Sequence, residues 1–355
     1  MNSELTVFVT VYNIAKYLPR FFGCMATQSF SNYILLLIDD GSTDNSLEVC
    51  KNYAKQDDRI RIIESKHIGI SAARNTILQH ITSPFTASAD GDDVYEKDYL
   101  KHLVDAQKKY DADLVISRVC YRSESYQRTG EFVPRGEVCI GKAELKDNLP
   151  MLIDDRRLNY LYGKLYRTKL LSDLKVEEDV KQGSDTMFNC QYIKRVNRVV
   201  LIDDLDTNYI KYSSRSVTSY NGEDAFNRLC RINQFILDTF SDTEYMTDEL
   251  QRVIDGRILL SAIWVLDQIA LSSAKRKDKH LKATTVINNG LYRTALKRQQ
   301  GIGGLDVFPF KVVYPGNEVE YVDSVIMSNQ KEKNNAVFHK VLPQFMFDIY
   351  HRIKK

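Results

Sequence analysis

The sequence predicts an α/β protein: a mostly parallel sheet flanked by helices over residues 1–218, followed by a mainly helical region over 219–355. Three observations carry this. Residues 5–11 (LTVFVTV) and 33–38 (YILLLI) are near-continuous β-branched and apolar runs, as expected of strands buried on both faces. Segments with helical spacing separate such runs, which makes βαβ units. Polar clusters then follow the strand ends at Tyr12-Asn13, Asp39-Asp40 and residues 90–93. Ligands of such sheets sit beyond the carboxyl ends of the strands, so these clusters are expected on one rim.

Residues 15–28 carry Tyr17, Leu18, Phe21, Phe22 and Met25 at helical spacing. The second strand halts at Asp39-Asp40-Gly41-Ser42-Thr43-Asp44, where Thr43 or Asp44 can cap a helix over 46–56. A strand over 60–64 and a helix over 72–81 lead to the run 84–89 and the turn Asp90-Gly91-Asp92-Asp93. A helix over 99–110 and a strand over 113–121 follow. The polar stretch 122–137 reads equally as a loop or a surface hairpin.

Of 355 residues, 43% are hydrophobic and 27% charged, enough for a full α/β core and a second domain. Lys plus Arg (49) nearly balances Asp plus Glu (47), so no whole-chain field favours nucleic acid or an anionic membrane. The six cysteines are dispersed, with no C-x-x-C pair, which argues against zinc or a disulfide scaffold and fits a reducing cytoplasm. The N-terminus runs straight into a strand and does not read as a signal peptide. The quasi-apolar stretch 258–271 is too short to span a bilayer and contains Asp267 and Gln268, so it reads as a buried helix.

The chemistry centres on the turn at 90–93. Three carboxylates around one glycine suit a hard divalent cation, whose charge relieves their mutual repulsion, and a nucleoside diphosphate could be held through that metal. A solvated loop is the alternative for an isolated D-x-D-D.

Four motifs, V-T-V-Y-N (9–13), I-D-D-G-S-T-D (38–44), G-I-S-A-A-R-N (69–75) and D-G-D-D (90–93), resemble in order and spacing the family-two glycosyltransferases. The resemblance covers roughly residues 5–218. It implies the GT-A fold, a Rossmann-like mostly parallel sheet. It further implies that Thr10, Tyr12 and Asp40 seat the uracil of a UDP-sugar, with the aromatic stacking and the carboxylate accepting the N3–H. Arg74 would reach the donor diphosphate or pair with a neighbouring carboxylate. By the same resemblance Asp90 contacts the ribose and Asp92 binds Mn or Mg, with Asp93 supporting.

The segment 161–167 (LYGKLYR) resembles one that bacterial members carry before the acceptor-site helix. Relatives then show G-E-D-x-x-F-N where this chain has Gly183-Ser184-Asp185-Thr186-Met187-Phe188-Asn189, with Ser184 in place of the glutamate. An inverting transfer needs one carboxylate to take the acceptor hydroxyl's proton, and Asp185 is the candidate. Residues 209–218 resemble a segment that closes over the diphosphate, which makes Lys211 and Arg215 candidate phosphate contacts, Lys211 as a point charge where arginine is common.

Residues 225–240 and 247–271 have the apolar spacing of long helices, and 272–282 is basic and polar. Gly301-Ile302-Gly303-Gly304 reads as a turn, and 312–314 and 318–327 as short strands. The tail 337–355 reads as a helix packing on its own domain or another subunit, with an interfacial helix at the inner face of the membrane as the alternative.

The leading expectation is a metal-dependent, inverting transfer from a UDP-sugar donor to a hydroxyl of a surface polysaccharide, wall polymer, lipid-linked glycan or glycoprotein. A non-catalytic sugar-nucleotide-binding partner and a nucleotidyltransferase are the alternatives.

Overall fold

A computed structural model describes residues 3–132, 134–178, 183–212 and 223–300. The chain forms two compact units, Met1–Val217 and Thr218–Lys355.

The first unit is built on an eight-stranded sheet. Its strands are β1 (Leu5–Val11), β2 (Tyr33–Asp40), β3 (Ile60–Ser65), β4 (Phe85–Ser88), β6 (Leu114–Ile116), β9 (Val138–Gly141), β10 (Lys164–Arg167) and β11 (Arg198–Leu201), in the order β3-β2-β1-β4-β10-β6-β11-β9. The β1–β2, β2–β3, β1–β4 and β6–β11 pairs are parallel; β10 and β9 run against their neighbours. The apolar runs become the central strands, and Leu5, Val7, Val9, Leu37, Ala87 and Val115 have no more than 1% exposure.

Helix α1 (Leu18–Ala26) buries Leu18, Phe21, Phe22 and Met25, each such side chain contributing about 1.5–3 kcal/mol by leaving water. It starts three residues later than its spacing suggested, because the preceding backbone bonds elsewhere. Asn13 has φ 52°, Ile14 N–H donates to Ser46 Oγ at 2.9 Å, and Ala15 N–H donates to Asp44 Oδ2 at 3.1 Å. Asp44 also accepts from Ser46 N–H at the start of α2 (Ser46–Ala54), where Asn45 holds the cap position. Helix α3 (Ile70–Leu78) starts earlier than expected, at Ile70.

The expected strand at 113–121 is two strands in two sheets. Ser117 breaks the run, its N–H and Oγ both donating to Gly163 O at 2.9 and 3.1 Å. Beyond it, β7 (Val119–Ser123) joins β5 (Val94–Tyr95), β8 (Arg128–Glu131) and β12 (Thr207–Lys211) in a smaller sheet of order β5-β12-β7-β8. The polar stretch after β7 therefore contains a hairpin. Helices α4 (Tyr99–Tyr110), α5 (Lys142–Asp154) and α6 (Ser184–Ile193) complete the unit.

In the second unit the described residues form α7 (Glu223–Phe240), α8 (Asp248–Leu271), α9 (Arg276–Ile287) and α10 (Gly290–Gln300). Thr247 caps α8, its Oγ1 accepting Leu250 N–H at 3.1 Å, with Asp248 and Glu249 in the first turn. Asp255, 1% exposed on α8, takes a two-pronged contact from Arg298 of α10 at 2.9 and 2.6 Å. The basic stretch 272–282 runs into α9. No described helix is long and apolar enough to cross a membrane. The expected turn at 301–304, the strands at 312–314 and 318–327, and the tail at 337–355 lie outside the described residues.

Gly41 and Lys164 hold the rim of the first unit in shape. Gly41 has φ 69°, and a Cβ there would meet His67 N at 2.6 Å. Lys164 is 1% exposed, and its ammonium donates to the carbonyls of Tyr160 and, at 3.5 Å, Tyr162. Burial pushes Lys164 down to about 7, with nearby Asp185 opposing and Arg157 adding to the effect.

Two outcomes follow. Gly41→Ala should lower the unfolding free energy by about 1–3 kcal/mol, read as a fall in the urea midpoint; an unchanged midpoint would contradict the close approach. Between pH about 7 and the ordinary 10.5, unfolded Lys164 binds a proton that the folded protein does not, so stability attributable to it rises with pH across that window. The wild-type minus Lys164→Met difference in urea stability, followed by circular dichroism, should climb by up to about 1.4 kcal/mol per pH unit. A flat difference would show that the amine is solvated.

Candidate functional site

The acidic turn follows β4 directly. Asp90 N–H donates to Tyr95 Oη at 2.7 Å, and Asp93 N–H donates to Asp90 O at 3.2 Å, which closes the turn. Asp93 is 1% exposed; its Oδ1 accepts Ile210 N–H from β12 at 2.9 Å, and its Oδ2 has no hydrogen-bond partner among the described residues. The main-chain oxygen of Asp92 accepts from Arg20 Nη2 at 2.7 Å and Tyr212 Oη at 2.8 Å. Helix α1 and the end of β12 thus grip the turn by its backbone.

The carboxylates crowd one another. Desolvation pushes Asp90 up to about 7; Arg74 opposes, and Asp92 and Asp185 add to the rise. Burial, Asp90 and Asp92 hold Asp93 well above the usual carboxylate range. Arg74, on α3 and 6% exposed, pairs through Nη1 with Asp185 Oδ1 in the first turn of α6. Ser184 Oγ also donates to that oxygen, at 3.4 Å. Asp90, Asp92, Arg74 and Asp185, drawn from three chain segments, therefore share one electrostatic neighbourhood.

A second group lies at the ends of β1 and β2. Thr10 is half-buried on β1, opposite Ile38. Tyr12 is 42% exposed and stacks on His67 with ring centroids 4.3 Å apart and 17° between planes. Asp40 is 3% exposed: Oδ1 accepts Ile68 N–H at 2.8 Å, Oδ2 accepts Gly69 N–H at 3.0 Å, and His67 Nδ1 lies 3.0 Å from Oδ2. Asp40 thus ties the entry of α3 to the end of β2, and a ligand N–H would share an oxygen with the backbone. Asp39 is structural, its Oδ2 accepting Ser42 N–H at 3.0 Å. Lys211 is exposed at the end of β12, next to Tyr212; Arg215 lies outside the described residues.

Sequence reasoning missed His67, Arg20 and Tyr212. A lone exposed histidine carries no signal, and Arg20 reads only as the polar face of a helix.

The donor set at the turn suits a hard cation: burial and mutual repulsion destabilise the charge of Asp90 and Asp93, and the buried Asp93 Oδ2 lacks a partner among the described residues. Among the described residues, His102, Asp204 and Asp206 also converge, with ligand atoms within 4.8 Å of one another. There His102 Nδ1 lies 2.8 Å from Asp206 Oδ2, so an internal pair already occupies that group. It borders a cavity of about 400 Å³ lined by His102, Asp105, Lys109, Glu137 and Asp203, away from the acidic turn.

Residues 6–161 match the family model described as Glycosyl transferase family 2. Glycosyltransferase GlyA of Streptococcus pneumoniae serotype 4 is 29% identical over 216 residues, covering 57% of this chain and 30% of GlyA. The uncharacterized glycosyltransferase EpsJ of Bacillus subtilis is 27% identical over 205 residues, covering 56% of this chain and 59% of EpsJ. The chain thus spans between about a third and three fifths of these curated relatives. The crystal structure of S. aureus TarS 1-349 in complex with UDP-GlcNAc superimposes with a TM-score of 0.65 at 18% identity, covering 92% of each chain. Family model, relatives and fold agree with the motifs that lead to the acidic rim: residues 6–161 match glycosyl transferase family 2, and the chain has the GT-A fold.

Proposed function

We propose that the chain transfers a sugar from a UDP-sugar to an acceptor hydroxyl with inversion. The observation that carries this reading is the shared neighbourhood of Asp92, Asp90, Arg74 and Asp185 at the strand-end rim. The S. aureus TarS structures hold UDP-GlcNAc and UDP, which supports a UDP-sugar donor for a chain of the same fold.

In this reading Tyr12 stacks on the base, Thr10 and Asp40 line its slot, and Asp90 meets the ribose. Asp92 holds Mn or Mg, which when bound offsets the charge of the departing diphosphate. Arg74, which pairs with Asp185, is read as also contacting the phosphates, with Lys211 and Arg215 as further candidate cations. Asp185 accepts the proton of the acceptor hydroxyl while that oxygen attacks the anomeric carbon from the face opposite the leaving UDP. It stands in the first turn of α6, paired with Arg74. Ser184 holds the same carboxylate from beside it, in the position where relatives carry a glutamate.

The acceptor we propose is a hydroxyl of a surface polysaccharide, wall polymer, lipid-linked glycan or glycoprotein. The six cysteines form no disulfide, which suits action in the reducing cytoplasm, where a peripheral position at the inner face of the membrane would meet a lipid-linked acceptor.

Asp92→Asn and Asp185→Asn should each reduce UDP release from a panel of UDP-sugars by on the order of a thousandfold, with circular dichroism unchanged. EDTA should abolish release in the wild type, and Mn²⁺ should restore it. Near-normal turnover in either variant would remove that residue's role, and EDTA-resistant turnover would remove the metal.

A further inference from the structure

Beside the acidic turn, on the side away from β1 and β2, lies a stack of tyrosines that the proposed chemistry does not use. Tyr160 and Tyr162 stack with centroids 4.9 Å apart and 21° between planes, and Tyr162 and Tyr209 at 5.7 Å and 21°. Tyr121, in register with Tyr209 across β7 and β12, meets it edge-on at 5.9 Å and 72°. Two contacts join the stack to the turn. Tyr162 forms a β-bridge with Ser88, two residues before Asp90, and Ile210, next to Tyr209, donates its N–H to Asp93 at 2.9 Å.

A small hydrophobic core would account for Val119, Phe132 and Tyr162, all nearly buried. Tyr121, Tyr160 and Tyr209 pack against it but stay partly exposed, and the Tyr162 hydroxyl, in a residue 4% exposed, has no hydrogen-bond partner among the described residues. The stack is also held rigidly. Lys164 donates to the carbonyls of Tyr160 and Tyr162, and Asn189 Nδ2 donates to Leu158 O and Tyr160 O, both at 2.9 Å. Asn189 stands on α6, the helix that starts with Ser184 and Asp185. Its Oδ1 in turn accepts from Tyr166 Oη at 2.8 Å. Buried polar groups thus fix a half-open aromatic surface relative to the carboxylate proposed as the base.

We propose that the Tyr160–Tyr162–Tyr209 stack is the acceptor subsite and takes the apolar C–H face of a pyranose ring, so that the acceptor is a cyclic saccharide. The inference rests on the transferase reading and adds the class of acceptor. An aromatic face is the protein surface that suits a sugar ring, polar at its edge and apolar on its face. Tyr12 and Asp40 follow β1 and β2, whereas the stack lies past β4, toward β10, and is tied through Asn189 to the helix that carries Asp185, which favours the acceptor over the donor.

Saturation-transfer NMR on the full chain with Mn²⁺ and UDP tests this, with methyl glycosides of glucose, galactose and N-acetylglucosamine as probes and sorbitol as the ring-free control. At least one glycoside should bind the wild type and sorbitol should not. Tyr160→Leu and Tyr209→Leu should weaken glycoside binding about tenfold, whereas Tyr160→Phe and Tyr209→Phe stay within about twofold. UDP affinity should be unchanged in all four. Leucine variants that bind glycosides like the wild type, variants that lose glycoside and UDP together, or a wild type that binds none of the glycosides would overturn the subsite. A wild type that binds glycosides yet releases no UDP from any UDP-sugar would instead overturn the transferase reading.

Discussion

Like charge at the strand-end rim is the constraint on which the rest of the site depends. Asp90, Asp92 and Asp93 follow one strand within four residues, and Asp185 arrives from a helix about a hundred residues further on. Burial first, and behind it the neighbouring carboxylates, push Asp90 up to about 7. The buried guanidinium of Arg74 offsets part of the repulsion by pairing with Asp185, and a cation at Asp92 would offset much of the rest. A nucleoside diphosphate fits the same logic: its charge is welcome only where a metal and a guanidinium have prepared the field.

The sheet makes that crowding possible without strain in the core. Parallel strands deliver their carboxyl ends to one side, and the break at Ser117 sends the chain from the large sheet into the small one, where β12 reaches the acidic turn through Ile210 and Tyr212. The antiparallel β10, inserted between β4 and β6, brings Lys164 and Tyr166 beneath the rim. Through Asn189 these residues also reach the helix that carries Asp185, so the supports of the acidic turn, the tyrosines and the proposed base are mechanically one structure.

Much of this was legible in the residues. The runs at 5–11 and 33–38 read as buried strands, and three polar clusters after strand ends point to a common rim. Where local pattern ran out, a distant contact decided. The run 113–121 carries Ser117-Arg118 at its middle, but only the contact of Ser117 with Gly163 makes that pair a break between two strands. Helix α5 contains Pro150, and α10 is rich in polar residues, so neither had a strong periodic signal. In the site, Asp40 reads from the sequence as a candidate carboxylate, but its bonds to Ile68 and Gly69 N–H do not, since they join residues 28 and 29 positions apart. The tyrosine stack was hidden for the same reason: Tyr121, Tyr160 and Tyr209 meet only after the small sheet has formed.

The most direct test of the account is an anomalous difference map from a crystal soaked with UDP and MnCl₂. It should place Mn²⁺ at roughly 2.0–2.3 Å from the Asp92 carboxylate, with the diphosphate completing its shell and Arg74 alongside. Manganese at His102, Asp204 and Asp206, with none at Asp92, would contradict the claim that the acidic turn is where the donor is held.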